Sequence, residues 1–159
     1  MSNEERTQQR RNNGRKGRSL QRQRALDVLY EADVRGAEHD LASLLEERSQ
    51  LSPSQQPIQK YGQLIVSTYA EWADDVDSMI EAASPQWALA RMSVVDRNLL
   101  RIGATELMYL DVPTAIVVKE ITALVRDFST DKAVGFTMGV LNRIAEIRSE
   151  ETSGRDTSE

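Results

Sequence analysis

The chain contains no cysteine. Disulfides, thiolate zinc sites and thiol nucleophiles are therefore excluded, and the absence fits a reducing compartment. Histidine occurs once, as His39 beside Asp40 in a polar stretch, which reads as a surface residue rather than a base or a metal ligand. No Ser or Thr has a second histidine to activate it, and the sequence holds neither a glycine-rich phosphate loop nor a metal-ligand cluster. Apolar residues never run long enough to span a membrane, and the first segment is too polar for the core of a signal peptide, so a soluble, cytoplasmic protein is expected. These absences point away from catalysis: no enzyme, no cofactor and no metal are expected.

Acidic residues are absent from one place in particular. Between Arg6 and Arg24 stand eight basic residues (Arg6, Arg10, Arg11, Arg15, Lys16, Arg18, Arg22 and Arg24) and no acidic one. Residues 1–24 carry eight positive and two negative charges, net +6, so the remainder carries −11 to reach the overall −5. An evenly acidic chain would argue against a nucleic-acid partner, whereas a basic segment on an acidic body makes a polarised molecule. Arginine forks match phosphate bidentately, and the binding they supply is largely independent of base sequence and sensitive to salt. Arg15, Lys16, Arg18, Arg22 and Arg24 are the candidate phosphate contacts; a solvated, inert tail is the alternative reading of the same charges.

At 159 residues the chain suffices for one domain that buries a sizeable core. Residues 1–17 have almost nothing apolar and are expected to be a disordered basic arm. A helix is expected from about Ser19, with Leu26, Leu29 and Tyr30 inward, Arg18, Gln21 and Arg22 away from that stripe, and Gly36 as a left-handed cap. Asp40 is placed to cap a short helix carrying Leu41, Leu44 and Leu45. Pro57 suits the first turn of a long helix, in which Tyr61, Ile65, Tyr69, Trp72, Val76 and Ile80 recur at helical spacing while Asp74, Asp75, Asp77 and Glu81 read as solvated.

Ser84-Pro85 breaks that helix, and Ser93 to Asp96 has capping-box spacing for the next, whose inward residues are Val95, Leu99 and Ile102. A further helix is expected over 114–128, then a last one with Phe136, Val140, Leu141, Ile144 and Ile147 inward and Gly139 marking a close backbone approach. Residues 149–159 are expected to be a disordered tail. The reading is thus all-α, with six or seven helices in two small packed bundles, 18–83 and 84–148, of a single domain over 18–148. The eight aromatic residues are few for holding RNA bases, and core packing is expected of each.

Two stretches together resemble the NusB family of bacterial transcription antitermination factors. The first is Arg22-Gln23-Arg24-Ala25-Leu26-Asp27-Val28-Leu29-Tyr30, similar to the family's arginine-rich start of its first helix. The second runs in order through Leu100-Arg101-Ile102-Gly103-Ala104-Thr105-Glu106-Leu107, Asp111-Val112-Pro113, Val117-Val118-Lys119-Glu120, Phe128 and Phe136-Thr137-Met138-Gly139-Val140-Leu141. The resemblance covers roughly residues 18–147. It implies an all-α fold of two helical bundles, and binding to a boxA element of rRNA leader transcripts together with the ribosomal protein that doubles as NusE. NusA, NusG and RNA polymerase are the implied larger assembly.

Matched to the family's motifs, Arg18 and Arg22 fall in the RNA-contacting arginine segment, Phe136 matches an aromatic at the RNA-facing end of the last helix, and Asp96 falls in the region facing the NusE-like partner. Lys119 and Met138 stand where the family often has Asn. Lys132 stands at an acidic loop position and adds positive charge beside Phe136, as a further RNA contact. A helical interaction module like the accessory domain of an rRNA methyltransferase is the alternative; no cofactor-binding segment follows the last helix, so a methyltransferase is not expected. Monomer and homodimer both remain open.

Overall fold

The computed structural model describes residues 14–36, 40–50 and 57–157, and the side chains of these up to residue 154. His39, most of the expected basic arm (residues 1–13) and the polar run at 51–56 lie outside the described residues. Among the described residues there are six α-helices and no strand: α1 Gly17–Arg35, α2 Leu41–Ser49, α3 Lys60–Ala83, α4 Val94–Tyr109, α5 Thr114–Phe128 and α6 Asp131–Thr157, with a 3-10 turn at Leu89–Arg91 before α4. None of them is long and apolar enough to cross a membrane.

The helix ends follow local chemistry. Gly36 closes α1 at φ +68°, a left-handed conformation that glycine adopts without a Cβ clash. Ser93 caps α4, its Oγ accepting the Asp96 N–H at 3.1 Å. Pro57 does not lie in the first turn of α3: the chain stays extended to Gln59, and Ile58 turns inward instead, 4 % exposed. The last helix runs past residue 148. Helix α6 continues through Thr157, its exposed turns joined by ion pairs from Arg143 to Glu146 (3.0 Å) and Glu150 (3.7 Å).

Helix α4 occupies the middle. Every residue from Asn98 to Leu107 is buried, because α1, α3, α5 and α6 all pack against it. The buried apolar residues of all six helices form one cluster, with Ile65, Ile80, Leu99, Leu100, Ile102, Ile121, Leu141 and Ile144 among its fully enclosed members. Gly103 is what lets α4 sit so deep. A Cβ there would lie 2.6 Å from Leu141 Cδ2 and 3.3 Å from Ile121 Cγ1. Gly139, expected to serve that purpose, faces open space with nothing within 4 Å of a Cβ position.

Several inward and outward assignments reverse. Tyr30 is 44 % exposed, and Trp72 is 41 % exposed at a break in α3 (φ −116°, ψ 25°), where it stacks on Tyr109 with centroids 5.2 Å apart. Gln21 and Arg22 are buried. Asp77 is only partly solvated. It accepts from Tyr69 Oη (3.0 Å) and from Arg101 (3.1 and 3.2 Å), while Arg101, Arg97 and Asn98 converge on the buried carboxylate of Asp33. This network ties α1 and α3 to α4 at one end of the domain.

Candidate nucleic-acid interface

Side chains of α1 meet α5 along its length: Ser19 and Arg22 reach Glu120, and Leu26, Asp27 and Tyr30 line a pocket with Phe128. Arg15 pairs with Asp127 and its guanidinium lies 5.6 Å from the Phe128 ring centroid; one turn on, Ser19 Oγ donates to Glu120 at 2.7 Å. An arginine beside the carbonyl end of α5 also meets the negative end of that helix's dipole. Because only Ser129 and Thr130 separate α5 from α6, Lys132 emerges at this same end of the molecule, exposed, with Phe136 partly buried one turn later. Arg15 is accordingly held against the body rather than belonging to a free arm.

Arg22 requires a correction. Expected on an outward face to meet RNA, it is 2 % exposed. Its guanidinium donates to Glu106 through Nε (2.8 Å) and Nη2 (2.8 Å), and Glu106 is itself fully buried on α4. The reason lies in rotation along the helix: α1 is packed on two sides, by α4 and by α3, so the stripe that includes Leu26 and Leu29 widens to take in position 22. Burial alone would lower the Arg22 pKa, but the hydrogen bond and charge of Glu106, with Glu120 at 3.9 Å, outweigh it and the net shift is upward. Arg24 is corrected likewise, buried with 8 % exposure and 3.7 Å from Asp27.

Glu106 has a second donor that the sequence did not single out, the hydroxyl of Tyr61 at the start of α3. Burial, together with that hydrogen bond, holds the Tyr61 phenol above its ordinary pKa, so it stays a proton donor. Its ring in turn carries Arg18, whose guanidinium carbon lies 4.4 Å from the ring centroid. One connected arrangement therefore runs from the buried Glu106, through Arg22 and Tyr61, to an exposed arginine. Reading helical periodicity could place Tyr61 on α3 but could not pair it with a carboxylate on α4.

Among the expected basic contacts, the structure separates two kinds. Arg15, Arg22 and Arg24 are engaged by Asp127, Glu106 and Asp27. Lys16, Arg18 and Lys132 are exposed and make no ion pair among the described residues. These last present unneutralised positive charge around the start of α1 and the start of α6. Asp96 lies in the first turn of α4, with one carboxylate oxygen buried and without a hydrogen-bond partner among the described residues. Its neighbour Val95 lines a small pocket with Leu26, Asp27, Tyr30 and Phe128.

The comparisons with known proteins agree with this architecture. Residues 19–146 match the family model described as the NusB family. The transcription antitermination protein NusB of Streptomyces coelicolor is 39% identical over 135 residues, covering 82% of this chain and 94% of the relative. In three dimensions the chain is similar to T. maritima NusB, with a TM-score of 0.70 and 27% identity over 83% of this chain and 92% of that one. It is also similar, with a TM-score of 0.65 and 29% identity over 82% and 96% of the two chains, to a crystal structure of antitermination factors NusB and NusE in complex with dsRNA. On sequence and fold together, the chain belongs to the NusB family of transcription antitermination proteins.

Proposed function

We propose that this protein binds boxA-type single-stranded RNA of rRNA operon transcripts together with a NusE-type ribosomal protein, and so supports processive rRNA transcription alongside NusA, NusG and RNA polymerase. The observation that carries the reading is the set of exposed cations Lys16, Arg18 and Lys132, which form no ion pair among the described residues, with the partly buried Phe136 one turn after Lys132. Phosphates would be met there by charges that no carboxylate among the described residues pairs with. Arg15 contributes to RNA binding by fixing the start of α1, and Arg22 and Arg24 by holding the helix that presents Arg18. The chain acts by binding and carries out no chemistry of its own.

For the protein partner, the proposed face includes the partly exposed carboxylate of Asp96 in the first turn of α4, with the exposed Tyr30 and Val34 on α1. A body with net −11 outside its first 24 residues favours a basic partner at that face.

Titrating boxA-type RNA into the protein with and without the NusE-type partner, across a salt series, tests this. Binding should weaken steeply with salt, and Lys132→Glu should lower both affinity and the salt slope by removing a phosphate contact. Absence of RNA binding in both conditions at low salt overturns the proposal.

A further inference from the structure

We infer that the groove between the first turns of α1 and α3 is a nucleotide subsite, in which one base of a single-stranded RNA stacks on the Arg18 guanidinium while its phosphate meets Lys60. The inference rests on the RNA-binding reading above and assigns it a location that neither the arm nor α6 accounts for. The groove has a volume of about 630 Å³ and is lined by Arg18, Gln21, Gln59, Lys60, Tyr61 and Gln63, among others. Lys60 is exposed, and neither it nor Arg18 forms an ion pair among the described residues.

The groove's walls are fixed in place. Gln59 N–H donates to Gln21 Oε1 at 2.7 Å, locking the start of α3 to α1, and Gln63 Nε2 donates to the Ile58 carbonyl at 2.9 Å. Gly62 permits the close approach, since a Cβ there would lie 2.6 Å from Ile58 Cγ1 and 2.9 Å from Gln21 Oε1. Both helices begin at the groove, and neither Lys16 nor Gln59, the residues before their first turns, contributes a side-chain cap. Helix amides and the positive ends of two dipoles thus add to the charges of Arg18 and Lys60.

The Arg18–Tyr61 stack supplies the base-binding element. Arginine planes, like aromatic rings, accept unstacked RNA bases. Here the plane is backed by the Tyr61 ring, and the ring is anchored through its hydroxyl to the buried Glu106. Holding a flexible arginine in this way lowers the entropy lost when a base settles on it. Phosphate and base chemistry within one groove favours a nucleotide over a simple anion, for which the stacked plane would have no use.

The test uses the full chain and a series of short single-stranded boxA-type RNAs carrying the fluorescent base 2-aminopurine at each position in turn. For the wild type, one position should be quenched on binding. Tyr61→Phe keeps the ring and should retain that quenching, whereas Tyr61→Leu should lose it and weaken binding by about tenfold. Lys60→Gln should weaken binding severalfold and reduce the salt slope by about 0.7, the share of one single-strand phosphate contact. Wild-type affinity, slope and quenching in folded Lys60→Gln and Tyr61→Leu would overturn the inference while leaving RNA binding intact. Should Tyr61→Leu fail to fold, the exposed Lys60→Gln decides alone. A wild type that binds no RNA overturns both this inference and the functional reading beneath it.

Discussion

Glu106 shows how a residue's role can invert between sequence and structure. In the sequence it is one of many carboxylates in an acidic body, and Arg22 is one of a run of basic residues. Folded, the two form a buried pair on helices 84 residues apart in sequence, with Tyr61 as a third partner. Removing one member leaves the other's charge without compensation in the core, which costs about 3–5 kcal/mol. Glu106→Gln should therefore lower the unfolding free energy by that amount in chemical denaturation, and the double variant Arg22→Met/Glu106→Leu should recover much of it. A Glu106→Gln protein within about 1 kcal/mol of wild type would show that the pair is not the anchor described here. Charge counting could not separate Arg18 from Arg22, because the difference depends on which helices flank α1.

Packing between elements is decided by glycine at Gly103 rather than Gly139. Both lie inside helices among apolar neighbours, and the sequence favoured Gly139 as the point of close approach. Gly103 faces α5 and α6, whereas Gly139 faces outward; periodicity places a residue on a face but does not say how near the next helix comes. Gly103→Ala forces a Cβ onto Leu141 in a closed part of the core, and overpacking of this kind costs about 1–3 kcal/mol, more than the better helix propensity of alanine returns. Gly139→Ala meets nothing and should stabilise the protein by up to about 1 kcal/mol. Thermal melts of the two variants should thus shift in opposite directions; a shared direction would mean that helix propensity, not contact, governs both sites. The helix count and the α4 cap were legible because they depend on neighbours in sequence. The extension of α6 was not, since its polar turns resemble a disordered tail in composition.

On the scale of the whole molecule, the sequence divides naturally at Ser84-Pro85, and α3 does end at Ala83. The interactions cross that boundary. Asp33 of α1 is shared by Arg97, Asn98 and Arg101 of α4, Arg22 of α1 reaches Glu106 of α4, and one apolar cluster contains residues from both halves. Neither half could keep these partners alone: 18–83 would hold Arg22 and Asp33 without their counter-charges, and 84–148 would expose Leu99, Leu100 and Ile102 of a helix buried nearly all round. Separation would therefore cost several kcal/mol in unpaired charge alone, a large share of the about 5–15 kcal/mol that stabilises a typical domain. The two halves of the chain should consequently unfold in one cooperative transition. Both tryptophans, Trp72 and Trp87, report on α3 and the turn after it, while helical circular dichroism reports on the whole chain. Urea transitions followed by the two signals should coincide in midpoint and slope; a fluorescence transition that precedes the loss of helicity would mean that the N-terminal helices come apart first and that the polar networks do not bind the halves into one unit.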